Sequence, residues 1–145
     1  MTDPALSPPG EELPPLRILL VEDEAMNRTL MRAVLTRASD PRIRLAELVE
    51  AETLAEARDH LASGAVDILL LDVRLPDGSG LDLARELVSN GETRPRIVIL
   101  SASVLPAERA AAIEVGCDAF LGKPYRPADL LDLLGLLAPS EAPPA

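Results

Sequence analysis

Apolar positions in this chain fall into short unbroken blocks, and each block is followed by a stretch with helical spacing. RILLV (17–21), VDILLL (66–71) and RIVILS (96–101) are the strongest blocks, with LAELVEA (45–51) weaker and AFLG (119–122) shorter. Unbroken runs of this length fit strands covered on both faces, as in a parallel sheet with helices above and below. After the first block, Met26, Leu30, Ala33 and Val34 stand at i, i+4, i+7 and i+8 and predict one helical face. Thr53-Leu54-Ala55-Glu56 has the capping-box pattern, in which Thr53 and Glu56 satisfy each other's backbone amides. Ala57 and Leu61 continue Leu54's face, and Gly64 ends that helix. A third helix is expected near 81–89 with Leu83 and Leu87 inward, a fourth from Pro106 to Gly116, and a last one opened by Pro127. Five strands alternating with five helices predict an α/β fold, a doubly wound parallel sheet between two helical layers. The SDPRIR connection between Ala38 and Leu45 looks long, and no internal repeat is visible.

Both ends differ from this pattern. Residues 1–15 contain Pro4, Pro8, Pro9, Pro14 and Pro15, and 138–145 read APSEAPPA. We expect a disordered segment over 1–15, a folded domain over 16–138 and a disordered tail over 139–145. Aromatic residues make up only 1% of the 145 residues, so the core must be aliphatic. A net charge of -10 with no basic run at either end argues against direct nucleic-acid binding. One cysteine, Cys117, excludes an intrachain disulfide and reads as a small buried residue. No run approaches the roughly 18 apolar residues of a membrane span, and the N-terminus lacks the pattern of a signal peptide. These features point to the cytoplasm, with no membrane contact.

Chemistry gathers where the strands end. Glu22 and Asp23 follow the first strand, Asp72 the third, Ser101 closes the fourth, and Lys123-Pro124 follows the fifth. In open α/β sheets these carboxyl ends border the ligand crevice. Clustered carboxylates repel unless a hard divalent cation sits among them, and Mg²⁺ takes one or two carboxylates plus phosphate oxygens. Metal, hydroxyl and lysine together make a cradle for a phosphoryl group, which a carboxylate can accept as an acyl phosphate. Taken alone, each residue has a plainer reading: a helix cap, a solvated loop acid, a turn serine, an exposed lysine. Their coincidence at four strand ends carries the functional one.

ILLVEDE, DILLLDVRLPDGSGLDL, VILSAS and GCDAFLGKPY, in that order and spacing, resemble the receiver domains of bacterial two-component response regulators over about 16–138. The resemblance implies a flavodoxin-like sheet ordered 2-1-3-4-5. It makes Asp72 the phosphoacceptor for a histidine on a sensor kinase or a histidine phosphotransfer protein. By the same pattern Asp23 binds Mg²⁺ directly, Glu22 through water, and the Arg74 backbone carbonyl completes the protein ligands with Asp72. Ser101 and Lys123 would each meet a phosphoryl oxygen, and the Lys123-Pro124 bond would be cis. Phe120 holds the switch position, at which the ring turns inward when Ser101 moves and alters the surface of the fourth helix, fifth strand and fifth helix. Its plainer reading is core.

Arg74 and Ser103, each two residues beyond a site residue, occupy positions that in this family border the phosphoryl group and set its hydrolysis. The expected molecule is a stand-alone phosphorylation switch with weak self-catalysed phosphotransfer and dephosphorylation rather than an enzyme, and it would act on an unknown downstream protein. Leu130, Leu133, Leu134 and Leu137, flanked by Leu131 and Leu136, read as a generous core face, with a partner or homodimer surface as the alternative. His60, mid-helix, reads as solvated. Two other functions share parts of this residue set. A haloacid-dehalogenase-like phosphatase requires an acid two residues after its nucleophile, where this chain has Arg74; a pseudo-receiver would keep the pocket without phosphate turnover.

Overall fold

The computed structural model describes residues 15–90, 94–102 and 105–139. Its central sheet contains β1 (Arg17–Val21), β2 (Glu47–Ala51), β3 (Ile68–Asp72), β6 (Arg96–Ser101) and β7 (Ala119–Gly122), all parallel, in the spatial order β2-β1-β3-β6-β7. A hairpin of two-residue strands, β4 (Arg74–Leu75) and β5 (Gly78–Ser79), follows β3 outside this sheet. With the hairpin set aside, the order is the flavodoxin-like 2-1-3-4-5, and the connections reverse direction between β1 and β3. β3 lies at the centre, buried along its whole length.

The unbroken apolar blocks arise because the two sheet faces take alternate residues into separate core layers. Ile18, Leu20, Ile68, Leu70, Val98 and Leu100 face one layer, with α1 (Ala25–Thr36) and α6 (Pro127–Leu137) covering it through Met31, Leu35, Leu130 and Leu134. Leu19, Val21, Leu69, Leu71, Ile97 and Ile99 face the other, covered by α3 (Leu54–Ser63), α4 (Gly80–Ser89) and α5 (Pro106–Val115). Each fully buried Leu or Ile contributes about 1.5–3 kcal/mol. No helix among the described residues is long and apolar enough to cross a membrane.

Three local expectations are corrected. Met26 and Leu30 are 69% and 55% exposed; the buried side of α1 is Met31 and Leu35. Both rows have i, i+4 spacing and lie about 100° apart, so periodicity alone does not choose between them. The SDPRIR connection holds a short helix, α2 (Pro41–Arg44), capped by the Asp40 side chain accepting from the Arg42 amide at 2.9 Å; there are six helices among the described residues where five were expected. At α3, Thr53 Oγ1 accepts from the Glu56 amide at 3.1 Å, but Glu56 Oε1 accepts from the Glu52 amide at 2.8 Å instead of from Thr53. The amides of Leu54 and Ala55 donate to the Asp77 carboxylate at 2.9 and 3.1 Å, so the turn after β3 caps α3 from outside. On α6, Leu131, Leu133 and Leu137 pack against the core and Leu136 is 82% exposed.

Two features tie the sheet to its loops. The Gly80 amide donates to the Val73 carbonyl at 2.7 Å, and a Cβ at position 80 would lie 2.1 Å from the Asp72 carbonyl oxygen. The start of α4 therefore rests directly on the backbone of Asp72. At the opposite edge Asp118 accepts from the Ile97 amide and from Arg94 Nη1, both at 2.7 Å, fastening the turn before β7 to the start of β6. Burial alone would raise the Asp118 carboxyl, but Arg94 and the Ile97 amide outweigh it and hold it below the ordinary value of 3.8.

Gly80→Ala is expected to lower stability by about 1–3 kcal/mol in urea unfolding, because the obstructing atom is backbone and cannot rotate away. Asp118→Asn is expected to cost about 1–3 kcal/mol at neutral pH. The folded carboxyl titrates below the unfolded one, so its contribution is full above 3.8 and fades as pH falls through the lowered folded value. The stability difference between wild type and Asp118→Asn should therefore shrink on acidification below about pH 4, measured by unfolding at a series of pH values.

Candidate functional site

Glu22, Asp72, Ser101 and Lys123 reach one edge of the sheet because β1, β3, β6 and β7 are parallel neighbours ending at similar heights. The register pairs Asp72 with Leu100 and Ser101 with Gly122, and the Lys123 amide donates to the Ser101 carbonyl at 2.7 Å. Ligating oxygens of Glu22, Asp23 and Asp72 lie within 4.8 Å of one another. Glu22, Asp72 and Ser101 are the buried polar residues of the described chain, at 2%, 8% and 1% exposure. Asp23 is exposed.

Lys123 Nζ donates to Glu22 Oε1 at 2.7 Å and to Asp72 Oδ2 at 3.1 Å, so one ammonium from the fifth sheet strand in sequence bridges acids of the first and third. The Glu24 amide approaches Glu22 Oε2 at 3.3 Å, and the Arg74 amide approaches Asp72 Oδ1 at 3.4 Å. Burial pushes both acids toward the neutral form. At Glu22 the Lys123 hydrogen bond and charge prevail and the carboxyl sits below its usual range; at Asp72 burial, reinforced by the negative Glu22, prevails over Lys123 and the carboxyl sits above it. Lys123 is held above its usual value, since its two acids outweigh its burial. Three carboxylates facing one ammonium is an oxygen-rich set with surplus negative charge, which fits a hard divalent cation such as Mg²⁺.

The other expected site residues are placed as follows. The Lys123-Pro124 peptide is cis. The Arg74 side chain is 81% exposed and points past the site toward Glu108 of α5, with nitrogen and oxygen 3.9 Å apart. The Ser101 hydroxyl donates to Glu108 Oε1. Phe120 is half-buried against the core layer of α3, α4 and α5, with the Arg109 guanidinium 5.6 Å from its ring centre. Ser103 lies outside the described residues. Beside the acids, a cavity of about 460 Å³ opens between α1 and the segment that leads from Lys123 into α6, lined by Glu22, Leu30, Met31, Lys123 and Tyr125 among others.

Glu108 and Asp77 are the contacts that sequence reading missed. Glu108 stands in the first turn of a helix opened by Pro106, where an acid ordinarily serves the helix dipole. Asp77 stands in a Pro-Asp-Gly turn that accounts for it locally. In neither case does the sequence signal a partner on another element.

The chain is similar to known proteins. Response regulator MprA of Mycobacterium sp. (strain KMS) is 33% identical over 134 residues, covering 89% of this chain and 55% of that protein. The aerobic respiration control sensor protein ArcB of Escherichia coli (strain K12) is 35% identical over 124 residues, which is 84% of this chain and 15% of that protein. The chain thus spans about half of the first relative and a small part of the second. Among solved structures, the receiver domain of the sensor histidine kinase PA1611 from Pseudomonas aeruginosa PAO1 superposes with a TM-score of 0.72 at 26% identity, covering 86% of this chain and 98% of that one; it carries a magnesium ion coordinated in its active site cleft. The family model for the response regulator receiver domain matches residues 18–135, and the chain belongs to that family, whose members are signalling domains of two-component systems.

Proposed function

We propose that this domain is a phosphorylation switch in which Asp72 accepts a phosphoryl group from a phosphohistidine of a sensor kinase or a histidine phosphotransfer protein. The observation that carries the reading is Lys123 Nζ bridging Glu22 and Asp72 beside Asp23, at the carboxyl end of the central strand. Mg²⁺ held by Asp23, Asp72, the Arg74 carbonyl and, through water, Glu22 would neutralise charge on the transferring group. An Asp72 carboxylate oxygen forms the new bond to phosphorus as the bond to the donor imidazole breaks, and the electron pair leaves with the imidazole. Lys123 then exchanges a carboxylate partner for a phosphoryl oxygen, and the Ser101 hydroxyl donates to another. The aspartyl phosphate is later cleared by water, in a weak self-catalysed hydrolysis whose rate the family resemblance assigns to positions 74 and 103.

Output follows from Ser101 and Phe120. As the hydroxyl turns to the phosphoryl group, Phe120 fills the space it leaves, and the surface of α5, β7 and α6 changes for a downstream protein or a second copy of the chain. Direct nucleic-acid contact is disfavoured by the acidic balance. The site combines a buried acceptor with a paired lysine, which supports turnover over a pseudo-receiver, and Arg74 in the place of a second acid speaks against the phosphatase alternative.

Incubation with acetyl phosphate and Mg²⁺ should add one phosphoryl group, about 80 Da by intact mass. Asp72→Asn, or omission of Mg²⁺, should abolish the gain; an adduct that persists in Asp72→Asn would refute the assignment. Lys123→Ala should slow adduct formation about 10²-fold at unchanged protein concentration, followed by the same mass measurement over time.

A further inference from the structure

A serine hydroxyl has a single proton to donate. In this structure the Ser101 proton is directed to Glu108 Oε1 on α5, at a position where Ser101 is 1% exposed. The other carboxylate oxygen of Glu108 lies 3.9 Å from the Arg74 guanidinium, and that side chain belongs to the loop immediately after Asp72. One carboxylate thus engages two of the donors that flank the acceptor aspartate. Phosphoryl oxygens accept hydrogen bonds and donate none at full ionisation, so they require the same Ser101 proton that Glu108 holds.

We propose that Glu108 is a positioning residue that competes with the phosphoryl group for Ser101 and Arg74, and so stabilises the unphosphorylated state. The inference rests on Asp72 being the phosphoacceptor. With Asp72 unmodified, Glu108 keeps the hydroxyl turned toward α5. A phosphoryl group on Asp72 takes the proton, attracts Arg74 and repels the Glu108 carboxylate, whose side chain is only 21% exposed and has lost its partner. The first turn of α5 must then re-seat. The next residue, Arg109, lies over the Phe120 ring, so the displacement is passed to the side chain at the switch position through direct contact.

An acid in the first turn also stabilises the helix through its dipole, and the test separates the two roles. Glu108→Gln keeps a neutral acceptor of the same length; Glu108→Asp keeps the charge near the helix end but withdraws it by one methylene. Trifluoroberyllate with Mg²⁺, a phosphoryl analogue that carboxylates ligate, is titrated into the full chain and followed through backbone amide resonances. Both variants should bind it about three- to tenfold more tightly than wild type, as expected for removing a competing charged acceptor. In a Ser101→Ala background the gain from Glu108→Gln should shrink, because the contested proton is gone. Equal or weaker binding by both variants, or an undiminished gain without the Ser101 hydroxyl, would overturn the competition. Tight binding by wild type and Glu108→Gln that survives Asp72→Asn would overturn the acceptor reading instead. No binding by any variant would overturn both.

Discussion

The ammonium of Lys123 is the interaction on which the site depends. Glu22 and Asp72 are buried at the ends of adjacent parallel strands, and two carboxylates so placed would repel each other in a medium that screens them poorly. Lys123 reaches both from β7, two strands away from β3, and so links three strand ends. The lysine alone does not balance three acids, and the surplus is what makes the cluster receptive to a divalent cation. The same arrangement leaves Asp72 with the longer bond to the lysine, 3.1 Å against 2.7 Å for Glu22, and with burial and the neighbouring Glu22 charge prevailing at its carboxyl. That is a suitable condition for the partner exchange that the proposed phosphoryl transfer requires.

Backbone geometry sets the position of Asp72 as firmly as charge does. The residue closes the central strand, Gly80 presses on its carbonyl, and the turn between them carries Asp77 across to cap α3. The loop after Asp72 is thereby anchored on the sheet and on a neighbouring helix. Asp72 therefore sits inside a frame that has little freedom to absorb a local displacement.

The sheet was legible because strands covered on both faces need continuous apolar runs, and those runs end in the polar residues of the site. Helix faces were less so: on α1 the row from Met26 through Leu30 to Val34 reaches the core only at Val34, beside Met31 and Leu35, and only contact with the sheet shows where the buried side lies. The exchange of Thr53 for Glu52 as the partner of Glu56 is a shift of one residue in a loop, below what spacing can resolve. The acids at the strand ends announced themselves by type and position. Glu108 did not, because its local role at a helix start is complete without reference to Ser101, and its approach to β6 depends on the path of the intervening loop.

The aliphatic core has a spectroscopic consequence. The chain contains no tryptophan, one tyrosine and one phenylalanine. The tyrosine, Tyr125, is half-buried in the wall of the cavity that Glu22 and Lys123 also line, two residues beyond the lysine that bridges the acids. Almost all near-ultraviolet absorbance and intrinsic emission therefore originates next to the clustered carboxylates. The protein carries its own optical reporter at the site, against a background that the rest of the fold leaves dark.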